Sequence, residues 1–172
     1  MNPKSTELNY YPLPSKKDLI GQYSEWLESR KDVWDLFAAT AVFNAGGRNS
    51  NSARWCDEYK HKVLWKIKKR LAHSYTNLIP FEDMFYYEFG ESSLFKSAAE
   101  GRKPHHVHGL VPIPKNLTHK IWDSQTGCLT PRIQKDFKSI KTLSSILLEP
   151  IRTGKLSDWL SYSSKGKPFY QT

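Results

Sequence analysis

The segment from Ser52 to Ser74 carries the clearest structural signal in the sequence. Its large apolar residues recur at every fourth position, namely Trp55, Tyr59, Val63, Ile67 and Leu71. This spacing predicts an amphipathic helix with one apolar face, while lysines and an arginine make its other side basic. A helix with a single apolar face has to bury that face against another layer of the fold. Neighbouring segments must therefore supply that layer.

The flanking segments have the composition and spacing of strands and further helices. Strands are predicted at Val33 to Asn44, Met84 to Phe89, His106 to Ile113 and Leu143 to Ile151. Helices are predicted at Lys16 to Arg30, from Thr130-Pro131 onward, and at Lys155 to Lys165. The order is helix, strand, helix, strand, strand, helix, strand, helix. It predicts an α+β fold in which helices cover a central antiparallel sheet.

Length and composition limit the class of protein. The 172 residues fit one folded domain, predicted for residues 16–172, after a flexible arm at residues 1–15. No apolar run approaches the roughly 20 residues of a membrane span, and the first residues lack a secretory pattern. Cys56 and Cys128 belong to no CxxC pair. These features predict a cytoplasmic protein with no membrane partner.

The charge balance favours a polyanionic partner. Lysine and arginine number 26 against 17 acidic residues, which gives a formal net charge of +9. A surface of this kind attracts nucleic acid, although the same balance is also found in basic proteins with other functions. The charge therefore has to be combined with the motifs below.

The segment KPHHVHGLVPIP contains a candidate metal-binding pair. His106 and His108 flank Val107 on a predicted strand, and alternate residues of a strand point to the same side. His105 is expected to face the other way. Two neutral imidazoles at this spacing can hold one divalent cation and leave coordination positions for a carboxylate and a substrate oxygen.

A carboxylate from the preceding strand is the expected third ligand. Glu88 ends the segment FYYE and could lie across a hairpin from the histidines, with Glu91 as the alternative because strand register is not fixed by sequence. One carboxylate beside two imidazoles suits Mg²⁺ or Mn²⁺ better than a closed, thiolate-rich zinc site.

The last predicted helix contains a candidate nucleophile. Tyr162 and Lys165 are three residues apart and occupy neighbouring positions on one helix face. A phenol needs a cation or a base to expose its oxygen as a nucleophile, and Lys165 could supply the positive charge. The carboxylate strand, the HxH strand and the YxxK helix follow in an order that suits convergence on one metal-centred site.

The set EFGE, HVHGL and YSSKG resembles the HUH endonucleases, specifically the rolling-circle replication initiators of plasmids, phages and single-stranded DNA viruses. The resemblance covers roughly residues 33–166, with FAATAVFN similar to the first motif of that family. It implies a ferredoxin-like or RRM-like antiparallel sheet of about five strands. It also implies one Mn²⁺ or Mg²⁺ ion on His106, His108 and Glu88, with Tyr162 and Lys165 as catalytic residues.

The implied activity is sequence-specific nicking of single-stranded DNA at a replication origin, associated with a hairpin, through a 5′-phosphotyrosine intermediate that allows the ends to be rejoined. The sequence has no GxxxxGK loop, so a separate helicase and host replication proteins are the expected partners. Two alternatives stay open. One is a single-tyrosine HUH transposase, and the other is a non-catalytic, RRM-like nucleic-acid-binding module.

Overall fold

Two long antiparallel strands form the centre of the structure. The computed structural model describes residues 15–44, 55, 57–71, 86–89 and 105–163. The two long strands are β1 (Trp34–Phe43) and β3 (His105–Pro114). They pair along their whole length, with Thr40 opposite His108. Every second residue of β1 from Phe37 to Phe43 is fully buried, which is the two-residue period of a strand.

Two shorter strands complete the sheet. β6 (Leu143–Pro150) pairs with the other edge of β1, and β2 (Tyr86–Phe89) pairs with β3. The order is β2-β3-β1-β6, and every pairing is antiparallel. An antiparallel sheet flanked by helices is therefore confirmed. Among the described residues this sheet has four strands, so the five strands and the ferredoxin-like or RRM-like arrangement stay predictions.

One face of the sheet, named the α2 face, is covered by helical segments from two parts of the chain. A π-helical segment, Tyr59–Leu64, runs directly into α2 (Trp65–Leu71), and α3 (Pro131–Lys138) lies beside them. Apolar residues spaced by four drift by about 40° per turn around an α-helix. A π-helical turn holds more residues, so it corrects this drift. All five apolar residues of the predicted stripe are buried, at 2% exposure or less.

The other face of the sheet, named the α4 face, is covered by the first and last helices. These are α1 (Lys16–Glu28) and α4 (Leu156–Ser163), and their apolar residues pack with Leu110 of β3. Ser15 begins α1 with a reciprocal capping pair, because its side chain accepts from the backbone N–H of Asp18 while the Asp18 carboxylate accepts from the Ser15 backbone.

A small ordered unit occupies the segment after Pro114, where no helix or strand was predicted. A 3₁₀ helix, Lys115–Lys120, leads into a two-stranded hairpin of β4 (Trp122–Asp123) and β5 (Cys128–Leu129). The Asp123 carboxylate accepts from the backbone N–H of Gln125 at 2.9 Å, and Gly127 adopts φ 64° to close the turn. Strands of two residues are too short to give a periodic signal.

The remaining predicted elements agree with the structure wherever it describes the chain. All four predicted helices and all four predicted strands are present, in the predicted order. Residues 1–14 and 164–172 lie outside the described ranges, and the flexible arm stays a prediction. Within the described ranges, no helix combines the length and the apolar character needed to cross a membrane.

Candidate metal and nucleophile site

His106 and His108 lie on the α4 face of the sheet, near the start of β3. Both are buried, with 7% and 3% of their surface exposed. Their ring centroids are 4.9 Å apart and the ring planes meet at 82°. The alternation of side chains along β3 thus places both imidazoles on one side, which confirms the predicted same-face arrangement.

The separation of the rings can be compared with that of two ligands on one metal ion. Two imidazoles bound side by side to one divalent ion, at about 2.1 Å and with an angle of about 90–110°, have centroids roughly 4.6–5.4 Å apart. The 4.9 Å between His106 and His108 falls within this interval. The two rings therefore have the spacing that two positions of a divalent metal site require.

Thr40 holds one nitrogen of the His108 ring. The register of β1 and β3 sets Thr40 directly opposite His108, and its Oγ1 lies 2.9 Å from Nδ1. When Nδ1 carries the proton and donates it to Thr40, Nε2 keeps a lone pair for a ligand. The Thr40 contact therefore orients the His108 ring, and no feature of the sequence indicated it beyond the place of Thr40 in FAATAVFN.

Burial keeps the His108 imidazole uncharged at neutral pH. The pKa of His108 falls to about 4, mainly because burial penalises the charged ring and secondarily because His106 repels a second positive charge. A neutral imidazole is the form that coordinates a metal. The His108 ring is thus in the protonation state that metal coordination requires.

Helix α4 brings Tyr162 to the histidine pair. Leu156 and Leu160 are 1% exposed and fix one side of the helix on the sheet. The Tyr162 ring then lies edge-on to the His108 ring, with centroids 5.4 Å apart and planes at 68°. Tyr162 stays 42% exposed, so a large substrate can reach it. The structure therefore brings the candidate nucleophile into ring contact with His108, which in turn packs against His106.

Trp159 is a further residue of the site. Its ring is also edge-on to His108, with a centroid distance of 5.4 Å, and lies 5.8 Å from the Tyr162 ring. Trp159 was not among the predicted site residues. It precedes Tyr162 by three residues, and this spacing signals that the two rings share a helix face.

The third ligand is not located by the described residues. In the register of β2 and β3, Glu88 pairs with Val107. The pairs on either side of it are Tyr87 with His108 and Phe89 with His106. Glu88 as the third ligand stays a prediction. Glu91 and Lys165 lie outside the described residues. Within the described part of the chain, no three His, Cys, Asp or Glu residues form a metal-binding group.

The arrangement combines two same-facing imidazoles, of which His108 is neutral, with an accessible phenol at ring-contact distance from His108. Such a set can hold a divalent ion next to a nucleophile. No family model, curated protein or solved structure matches the chain.

Proposed function

We propose that the protein is a metal-dependent nickase that cuts and rejoins single-stranded DNA through Tyr162. The proposal depends most on one observation, the edge contact between the Tyr162 and His108 rings at 5.4 Å. The partly exposed phenol and the metal-binding pair can then act on the same phosphate. The partners in this proposal are single-stranded DNA at an origin and a separate helicase, and the compartment is the cytoplasm.

The proposed reaction is a transesterification on a backbone phosphate. The Tyr162 oxygen forms a bond to phosphorus while the bond from phosphorus to the 3′-oxygen breaks. The phenolic proton is given up, and the leaving 3′-oxygen ends as a hydroxyl, so protons balance. The product is a 5′-phosphotyrosine linkage that conserves the phosphodiester energy. A later 3′-hydroxyl can reverse the step without ATP.

His106 and His108 would hold the divalent ion, which when bound supplies Lewis-acid polarisation of the scissile phosphate. Thr40 keeps the His108 ring in position through its 2.9 Å contact. Lys165 stays the predicted source of positive charge for the phenolate, and Glu88 or Glu91 the predicted third ligand. Trp159 packs beside Tyr162, with ring centroids 5.8 Å apart.

Covalent capture tests the nucleophile. Incubation with a labelled, random single-stranded DNA library and Mn²⁺ is expected to give a protein–DNA adduct that survives denaturing electrophoresis. Tyr162→Phe should abolish the adduct, whereas Tyr23→Phe, a matched change in α1 on the same face of the sheet, should retain it. An adduct of normal yield with Tyr162→Phe would rule out this nucleophile.

Metal dependence tests the histidine pair. EDTA, His106→Gln and His108→Gln are each expected to abolish the adduct, and His61→Gln, an exposed histidine of the π-helical segment, should not affect it. Cleavage that persists in EDTA would contradict the metal role.

A non-catalytic nucleic-acid-binding module is the rival interpretation, and it is favoured by the lack of a third donor among the described residues. It predicts EDTA-insensitive binding with no cleavage of any oligonucleotide. A transposase would instead excise and insert a defined element, which an origin-nicking assay run beside an excision assay distinguishes.

A further inference from the structure

A basic groove lies on the side of the molecule away from Tyr162. It is a concavity of ≈ 990 Å³ lined by residues of α2, the 3₁₀ helix and the start of α3. This volume is at the upper end of the range of about 300–1,000 Å³ for small-ligand pockets. α2 and α3 cover the α2 face, whereas Tyr162 and the histidine pair lie on the α4 face. The groove is therefore separate from the candidate nucleophile.

The groove concentrates positive charge. Its lining includes five lysines and arginines, namely Lys66, Lys69, Arg70, Lys120 and Arg132. Among its described lining residues the one carboxylate is Asp136, and it already binds the Arg70 guanidinium through both oxygens. The other four cationic side chains thus line one concavity whose described carboxylate is already bound to Arg70. Their mutual repulsion is relieved when an anion enters.

The position of these charges is set by the fold. Lys66 and Lys69 are three residues apart on α2, and the buried Ile67 and Leu71 hold that helix to the core. The bidentate contact of Arg70 with Asp136 joins α2 to α3 in the lining of the groove, with Nη2 at 2.9 Å from Oδ1. The groove is thus built by segments distant in sequence and does not follow from one run of lysines.

An exposed tryptophan borders the groove. Trp65 begins α2 and keeps 49% of its surface exposed. The Lys69 and Lys66 ammonium groups lie 5.1 and 5.7 Å from its ring, so the indole and the cations share one surface. Single-stranded nucleic acids bind through this combination, because phosphates meet cations while unpaired bases stack on aromatic rings.

We infer that this groove binds the backbone of a single-stranded nucleic acid, with Trp65 stacking against an unpaired base. Lys66, Lys69, Lys120 and Arg132 contact phosphates, and Arg70 keeps the groove in shape through Asp136. The inference does not depend on the nickase chemistry. In a nickase the groove would hold a part of the strand remote from the cleaved phosphate.

Salt-dependent binding of a fluorescein-labelled 20-nucleotide oligothymidylate, followed by anisotropy, tests the inference. Each phosphate contact to a single strand contributes about −0.7 to the slope of log K against log salt concentration. The double substitution Lys66→Gln, Lys69→Gln should therefore reduce the slope by about 1.4. Lys17→Gln with Lys31→Gln, the same charge change at exposed positions outside the groove, should leave the slope unchanged.

Trp65→Ala separates stacking from charge. It should weaken binding about 5-fold or more while the salt slope is retained. Equal loss of slope in the groove and control double variants would overturn the inference, since it would show non-specific attraction to the whole basic surface. The groove double variant can also be tested with phosphatidylserine vesicles. If it loses vesicle binding while its oligonucleotide binding is unchanged, the inference is overturned in favour of a membrane surface.

The outcome is independent of the test of Tyr162. In a Tyr162→Phe background, which should form no adduct, Lys66→Gln with Lys69→Gln should still reduce the salt slope by about 1.4. Conversely, the groove double variant should still give the Tyr162 adduct at saturating DNA and low salt, if the nickase proposal holds. Failure of one proposal is thus distinguished from failure of the other.

Discussion

Gly109, the residue after His108, is expected to be intolerant of even one added methyl group. A Cβ built on Gly109 would lie 2.3 Å from the Tyr59 hydroxyl oxygen and 2.9 Å from the ring carbon that bears it. Tyr59 is fully buried, so its ring cannot move away. Exchange of glycine for alanine without a clash usually stabilises by about 0.4–1 kcal/mol, whereas overpacking costs about 1–3 kcal/mol. Gly109→Ala should therefore lower the free energy of unfolding by about 1–2 kcal/mol.

Gly21 provides a matched control in the middle of α1. A Cβ added there meets no atom within 4 Å, so Gly21→Ala should stabilise by about 0.5–1 kcal/mol through helix propensity alone. Urea and thermal unfolding followed by circular dichroism would measure both, with the melting temperature falling by about 2–8 °C for Gly109→Ala. The cost of Gly109→Ala should shrink in a Tyr59→Phe background. If Gly109→Ala is as stable as the unmodified protein, the close approach of Tyr59 to β3 is refuted.

Three further predictions concern the histidine site and the first helix. The pKa of His108 is about 4 in the folded protein and 6.5 in the unfolded chain, so between these pH values the unfolded chain binds more protons. The free energy of unfolding of the metal-free protein should therefore rise by about 3 kcal/mol from pH 4 to pH 6.5 and then level off. Urea unfolding in EDTA measures this, and His108→Gln should remove that part of the rise. Thr40→Val should weaken Mn²⁺ binding by about 10- to 100-fold in calorimetry, and Thr40→Ser should restore it. Ser15→Ala should cost about 1 kcal/mol in urea unfolding through loss of the cap of α1, and an unchanged midpoint would contradict that role.

Periodicity was sufficient to predict most of the fold, because apolar spacing decides which face of each element is buried. The alternation of residues in a strand also predicted that His106 and His108 would share a side, and the structure bears this out. The contact of Tyr162 with His108 could not be predicted from periodicity alone. This contact depends on how Leu156 and Leu160 pack α4 against Leu110. The order of the motifs predicted that the histidine strand and the tyrosine helix would come together, but it did not predict the geometry of their contact.

The pairing of strands could not be predicted from the sequence. A slip of one residue between β2 and β3 would exchange the rows occupied by Glu88 and its neighbours, and no local feature of FYYE fixes that register. The partner of His108 was missed for the same reason, since Thr40 lies 68 residues away and meets the imidazole only through the register of β1 and β3.

The π-helical segment Tyr59–Leu64 has a consequence for how this chain tolerates changes in length. The helix contains one residue more than a regular α-helix needs to direct the same apolar side chains at the sheet. Loss of one exposed residue, such as Lys60, would change the spacing of the stripe from four-four-four-four to four-three-four-four, which regular α-helical geometry matches closely. We therefore expect a helix shortened by one residue to keep its packing against the sheet. Loss of one residue inside β3 would instead place His106 and His108 on opposite sides of the strand or shift them in register against β1.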